Sequence, residues 1–493
     1  MSIIKDFSKD TIVYGLGKAI KKFIGFLLLP LYTRVLSPNE FGIIDSLGTL
    51  IFLVTTFFNF GLDTASGYFY FQPSDEKEKG RILYTVFILR LVVIIPAVIF
   101  SFFSSWISVK MFGSDQYTTA VLITLLTVPL NMLMSEQELV FRFNRQAWAY
   151  NILTLVKTTA NIAGGIILVV NLKLSVTGAQ MASMFSTFAV VLVSFSFFTR
   201  KKYVYSFSWQ WAKKLLKYGY PLIWGGMAVW IYSVSDRFFL LHYKSLTEIG
   251  YYSIGSTFSQ PISLVNMAIQ MSFGPLFYSV FNGETDTGKP KSKQFMKNIV
   301  SFYISLACIF CVALSVFSSE LVGFITTKVY LPGIVVIPVL LFYSILAQLS
   351  EIVPVGISIS EKTWYFTWSI ILGASLNAGL NFIFIPLWGY LGAAITTLLA
   401  GICNLIFLDS ISKRFFDGGY NRYKIYILLI FSFVAAFLFP FLEIVYNCTF
   451  PIYTKVVTVL VSVSFPFVVG LINLQQVKNT LKVVPEENKV SDE

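Results

Sequence analysis

Apolar runs of about twenty residues follow one another along almost the whole chain, and this spacing constrains the fold more than any other feature. A bilayer core is crossed by about 20 apolar residues in helix, and only a helix or a closed barrel can satisfy its backbone there. Reading the 493 residues in order gives fourteen candidate spans: 11–32, 41–62, 82–105, 117–135, 150–171, 176–199, 218–240, 249–276, 295–319, 332–354, 364–387, 390–412, 423–446 and 452–475. Turn signals stand at the joints, among them Ser37-Pro38-Asn39, Gln72-Pro73-Ser74, Gly113-Ser114-Asp115 and Asp417-Gly418-Gly419. Composition agrees: 56% of residues are apolar, only 13% are charged and mean hydropathy is +0.73, far from a soluble domain. A barrel would show short alternating segments in place of continuous runs. The fold expected is an all-α polytopic membrane protein.

The links between spans are short, about 20 residues at most, which leaves no room for a catalytic domain outside the membrane. No catalytic constellation appears, so the chain is not expected to be an enzyme. The single histidine, His242, excludes a His-rich metal site, and Cys308 and Cys311 lie in an apolar run, as small apolar filler. Neither a metal nor a cofactor is expected. The first span carries Lys18, Lys21 and Lys22 with no small-residue cleavage site behind it, unlike a signal peptide.

Net charge is +12, which in a soluble chain would raise the question of nucleic acid. Here the charge marks topology. With the N-terminus placed in the cytoplasm and its first five lysines, Lys5 to Lys22, counted on that side, the tally is 28 Lys and Arg against six on the opposite face, with Arg90, Lys157 and Arg237 inside spans. Both termini are then cytoplasmic and no nucleic-acid partner is expected.

The longest basic link, 200–217 (RKKYVYSFSWQWAKKLLK), separates six spans from six. It reads as an amphipathic cytoplasmic helix on the membrane surface. The domains expected are an N-lobe over 1–199, this linker over 200–217, a C-lobe over 218–412, an appended pair of spans over 413–475 and a cytoplasmic tail over 476–493. An even number of spans per half gives the halves the same orientation, as in parallel repeats. Fragments agree: Ser37-Pro38-Asn39-Glu40-Phe41-Gly42 against Ser245-Leu246-Thr247-Glu248-Ile249-Gly250, and Thr177-Gly178-Ala179 against Gly389-Tyr390-Leu391-Gly392-Ala393.

Three stretches carry a family likeness: LPLYTRVLSPNEFGIIDS at 29–46, SVSDRFFLLHYKSLTEIGYYSIGSTF at 233–258 and LNAGLNFIFIPLWGYLGAAITT at 376–397. Through them the chain resembles the multidrug/oligosaccharidyl-lipid/polysaccharide exporter superfamily and, within it, the Wzx-type flippases of bacterial polysaccharide synthesis. The resemblance implies two six-helix lobes in a V around a central cavity. It implies translocation of polyprenyl-diphosphate-linked oligosaccharide across the bacterial cytoplasmic membrane by alternating access, with polymerase machinery as a further partner. The alternatives are a lipid II flippase, a drug/cation antiporter of the same superfamily and, less readily, a membrane polymerase or ligase.

Polar side chains within spans are costly and are expected to face a cavity or a partner. The substrate-binding candidates are Lys18, Lys21, Lys22, Arg90, Lys157, Asn266, Gln270 and Arg237. Asn266 has packing as its alternative, and Asp236-Arg237 a local ion pair. Basic residues inside the spans suit a diphosphate and argue against an organic-cation transporter. Asp45, Asp63, Asp236 and Glu351 are candidates for gating or for coupling to H⁺ or Na⁺, and Glu136 and Glu138 are further candidates to bind such an ion. Membrane potential alone is the other candidate driving force.

Overall fold

The computed structural model describes residues 28–285 and 289–471, with residues 15, 17, 20, 24 and 26 before them. Lys18, Lys21 and Lys22 lie outside the described residues. No strand occurs among the described residues. The helices run in the order α1 Leu28–Val35, α2 Pro38–Phe58, α3 Leu62–Tyr70, α4 Glu76–Ser101, α5 Ser104–Phe112, α6 Thr118–Phe143, α7 Ala147–Gly165, α8 Ser175–Ser194, α9 Trp209–Val234, α10 Asp236–Tyr243, α11 Leu246–Ser259, α12 Ile262–Gly283, α13 Pro290–Val316, α14 Ser318–Ile325, α15 Val336–Ile352, α16 Val355–Ile359, α17 Trp364–Phe415, α18 Arg422–Val445 and α19 Ile452–Val468. Ten helices among the described residues are long and apolar enough to cross a membrane, so the chain is an all-α, multi-pass membrane protein. Two expected spans, 364–387 and 390–412, fall within α17, which bends at Gly389 (φ +57°, ψ −134°), a backbone conformation open to glycine. The basic segment 200–217 is only partly helical. Residues 203–208 are non-helical, and the helix that begins at Trp209 continues without a break to Val234, so the lysine-rich turn and the span behind it are one rod.

The chain forms two compact units. The first comprises 1–257, 322–333 and 370–397 and the second 258–321, 334–369 and 398–493. In the first, α2, α5 and α6 share a core of Ile43, Leu47, Leu50, Val54, Ile107, Val121, Leu125 and Met132. The helices α3, α4 and α9 share another, of Leu62, Ala65, Ile82, Val86, Ala212 and Leu215. Close approach rather than expulsion of water holds membrane helices together, so small residues belong at the crossings. A side chain at Gly164 would sit 3.1 Å from Cβ of Ala182, and one at Gly373 3.2 Å from the Tyr232 ring. Gly379, by contrast, faces open space.

In the second unit, α13 packs on α15 and α18, and Cys308 and Cys311 are buried among its apolar side chains, as filler. Asn266 joins three helices: its amide donates to the Ser344 carbonyl (3.1 Å) and its oxygen accepts from the Tyr303 hydroxyl (2.9 Å). Between α12 and α13, Glu284 accepts from the amides of Lys291 and Ser292 at the α13 N-terminus (2.8 and 3.1 Å). Burial pushes its pKa up, but these amides and the Ser292 hydroxyl outweigh that and hold it below the usual carboxylate range.

One buried cation in this unit gave no sign of itself as such in the sequence, where Lys455 reads as an end-of-span charge. It is 1% exposed and contacts Glu443 Oε1 and Glu320 Oε1, each at 2.7 Å, and Ser319 Oγ at 3.1 Å. It pins α19 to α18 and α14. Removing one member of a buried pair leaves the other charged and unsolvated. Lys455→Ala should therefore destabilise the detergent-solubilised protein by about 3 kcal/mol, and Lys455→Met with Glu443→Leu should recover most of that loss, read by thermal unfolding.

Candidate functional site

The first unit holds two polar clusters that bring separate helices together. The first begins where the second span breaks. Phe60 (φ +50°) and Gly61 (φ +63°) end α2 and restart the chain as α3. A side chain at Gly61 would lie 2.4 Å from the Gly219 carbonyl oxygen, and one at Gly219 would lie 2.2 Å from that of Phe60. The break thus rests directly on the α9 backbone, and it puts Asp63 in the first turn of α3, where helix amides favour a carboxylate.

Arg90, from α4, is fully buried there. It is ion-paired to Asp63 and lies 3.6 Å from Glu136, donating also to Asn59 Oδ1 (3.2 Å) and the Met132 carbonyl (2.9 Å). Asp63 accepts in addition from Asn59 (3.0 Å) and Ser135 (2.9 Å), and Glu136 from the Tyr203 hydroxyl (3.1 Å). Asp63 is the member that reaches open space, with 34% of its side chain exposed against 2% for Glu136.

The second cluster joins the two halves of the sequence. Arg237 is bound to Asp236 Oδ1 (2.8 Å) and to Asp45 Oδ2 (3.1 Å), 192 positions away. Its guanidinium lies over the Tyr252 ring, whose hydroxyl donates to Asp236. Polar contacts continue across α17, where Asn377 donates to Thr397 Oγ1 (3.3 Å) and Asn381 to Asn377 Oδ1 (3.1 Å).

Nearby turns close on each other in matching ways. Ser37 and Glu40 form a capping box at the start of α2, and Glu40 also accepts from Ser175, the first residue of α8. In the second half, Glu248 accepts from the Tyr390 amide (3.0 Å) in the turn inside α17. The two glutamates of the repeated turns thus each hold the turn between the fifth and sixth spans of their own half. The turns also touch each other. A side chain at Gly42 would come within 2.0 Å of the Leu246 carbonyl oxygen, and one at Gly250 within 2.0 Å of that of Pro38. Two more bonds reinforce this closure: Trp230 Nε1 to the Thr49 carbonyl (3.2 Å) and the Tyr330 hydroxyl to the Leu36 carbonyl (2.8 Å).

These placements revise the reading of charge within the spans. Arg90 does not line a cavity in this conformation, and Arg237 is largely enclosed. Each holds two carboxylates, because a guanidinium in low dielectric must be neutralised where it stands. Each arginine has carboxylates at contact distance, so the described spans do not present the positive interior expected from their arginines. Asp45, Asp63 and Asp236 are the arginines' partners. Lys157 is half-buried with its Nζ 3.2 Å from Met134 Sδ, Gln270 and Glu351 are exposed, and Asn266 serves the helix packing described above. Glu136, an expected ion-binding candidate, sits in the first cluster, while Tyr203 and Tyr252 belong to the clusters without having been among the expected site residues.

Comparison with known proteins bears on the whole assembly. The family model described as polysaccharide biosynthesis protein matches residues 31–336. The chain belongs to this family. Of the three stretches behind the resemblance, 233–258 falls inside that match and 29–46 does so from residue 31 onward. A relative, Lsg locus putative protein 1 of Haemophilus influenzae, is 24% identical over 282 residues, which make up 55% of this chain and 65% of that protein, just under two thirds of its length. Among solved structures, the lipid II flippase MurJ in an inward closed conformation has a TM-score of 0.69 at 17% identity, covering 93% of this chain and 98% of that one. A multidrug resistance MATE family transporter of the MOP superfamily, inward-facing, has a TM-score of 0.62 at 13% identity, covering 82% and 97%. The family membership bears out the expected link to polysaccharide synthesis, and the solved structures share the fold.

Two outcomes follow. Arg90→Ala strands Glu136 in the interior and should cost about 3–5 kcal/mol, seen as lost protein in the membrane, whereas Arg90→Met with Glu136→Gln and Asp63→Asn should accumulate normally. Gly42→Ala or Gly250→Ala should wedge the turns apart. A cysteine at buried Thr49, in a background without Cys403 and Cys448, should then react with a membrane-impermeant thiol reagent about tenfold faster, a shift of about 1.4 kcal/mol.

Proposed function

We propose that this protein is a flippase that moves polyprenyl-diphosphate-linked oligosaccharide from the inner to the outer leaflet of a bacterial cytoplasmic membrane, supplying polysaccharide synthesis. The observation that carries the reading is the polysaccharide-biosynthesis family match over 31–336 on a fold shared with a lipid II flippase and with multidrug transporters. The lipid II flippase is the second reading, supported by the fold alone. The excess of basic residues in the spans no longer weighs against a drug/cation antiporter, since those arginines are neutralised. What favours the saccharide substrate over a drug is the family.

The two sets of six spans act as two lobes of like orientation in this reading, supported by the matching Glu40 and Glu248 contacts within each half. Both termini are cytoplasmic, as the Lys and Arg tally supports. The contact of the two turns, with the Arg237–Asp45 pair beside it, is then the closed outer face. The headgroup enters from the inner leaflet while its lipid tail stays in the bilayer, and the turns part to release it outside. Lys18, Lys21, Lys22 and Lys157 are the cations assigned to the diphosphate in this reading. An inside-negative potential favours outward movement of the diphosphate by about 2.3 kcal/mol per charge per 100 mV. Asp63, half open beside a buried arginine, is the place for H⁺ or Na⁺ to act if an ion is coupled. Polymerase machinery would take up the product.

Proteoliposomes with lipid-linked oligosaccharide labelled on one face test this. The expected result is protein-dependent redistribution to the other face, with lipid II moved more slowly. Folded protein that moves no lipid-linked saccharide would end the proposal.

A further inference from the structure

We propose that the segment 200–217 is a docking strip for anionic phospholipid headgroups of the leaflet it meets, the cytoplasmic one in the orientation proposed above. Three observations carry this. The first is charge. Arg200, Lys201, Lys202, Lys213, Lys214 and Lys217 are all exposed, and from Leu139 to Ser235 the sequence contains no Asp or Glu at all. Among the described residues no ion pair joins any of the six to a carboxylate. The nearest acids on α4 are already committed: Glu78 to Arg81 (3.3 Å) and Trp211 Nε1 (3.0 Å), Glu76 to Lys79 (2.6 Å). Arg90, Arg237, Arg422 and Lys455 each hold two carboxylates, whereas this strip gathers six cations in 18 residues with no such pair among the described residues.

The second is the kind of surface. Tyr205 and Trp209 are exposed by 67% and 62%, and Phe207 and Tyr220 are exposed beside them. Aromatic rings among lysines at the end of a span sit at headgroup depth, and Lys214 Nζ lies 4.4 Å from the centre of the Trp211 ring. Soluble acidic partners would gain nothing from the rings, whereas a bilayer surface takes both rings and charges.

The third is rigidity. The strip is fixed to the first unit by the Val204 amide on the Gly80 carbonyl (3.2 Å), the Ser208 amide on Thr85 Oγ1 (3.2 Å) and the Tyr203 hydroxyl on Glu136 (3.1 Å). Its cations are therefore presented as a fixed array, with part of the ordering cost of binding already met by the fold. Through Tyr203 the array is also joined to the Arg90 cluster.

Binding is read without transport, so its failure and that of the flippase reading are separable. The full-length protein in detergent is titrated with phosphatidylglycerol or phosphatidylcholine and bound lipid is counted by native mass spectrometry. The expected result is a preference for phosphatidylglycerol of about tenfold, shrinking with added salt. It should be abolished in the variant K213Q/K214Q/K217Q and retained when Lys289, Lys291 and Lys293 are changed to Gln. Should the first variant fail to fold, the salt dependence and the R200Q/K201Q/K202Q variant give the same decision. Equal binding of the two lipids, equal loss in both sets of variants, or binding of a polyprenyl diphosphate but not of phosphatidylglycerol would overturn the proposal.

Discussion

A bare charge cannot stand in a bilayer interior, and that one constraint organises the polar half of this structure. Arg90, Arg237 and Lys455 come from different parts of the chain, yet each ends between two carboxylates. The arrangement follows from the medium. An arginine with one partner still exposes donors, and in low dielectric each unsatisfied donor costs more than a second carboxylate brings in repulsion. Since at least one partner of each comes from another helix, every neutralised cation is also a tie between helices. Arg90 gathers the second, third and fourth spans and, through Tyr203, the link beyond the sixth. Arg237 ties the two halves of the sequence.

The same constraint explains which parts of this molecule could be read from its sequence. Span positions follow from the need for apolar residues over a fixed thickness, so helices such as Pro290–Val316 and Arg422–Val445 lie close to 295–319 and 423–446. The breaks are harder to see. Phe60-Gly61 and Gln260-Pro261 interrupt apolar runs that look continuous, because a broken helix in a membrane can be satisfied by its neighbours. The likeness of the two turns was legible, and in the structure Glu40 and Glu248 have parallel tasks.

The site was legible in its members and not in its connections. Arg90, Arg237, Asp45, Asp63 and Asp236 announce themselves as charges inside apolar runs. Their pairing depends on which faces of four helices meet, which no spacing within one helix encodes. That is why a count of basic residues suggested a positive interior and the structure shows arginines already spoken for. Lys455 was missed for a similar reason. At the end of a span a lysine normally reaches water along its own stem, and only the arrival of Glu320 and Glu443 keeps this one inside.

The contact of Gly42 on the Leu246 carbonyl and of Gly250 on that of Pro38 has a consequence for how such a chain can vary. Each glycine answers to the backbone of the other half, and a carbonyl is present whatever residue supplies it. Exchange of side chains in one turn therefore leaves the demand for glycine in the other unchanged. Two halves taken from distant relatives should fit together at this contact provided both keep their glycine, even where nothing else in the turns agrees. A half that has lost it cannot be rescued by any compensating substitution opposite, because there is no side chain opposite to shrink.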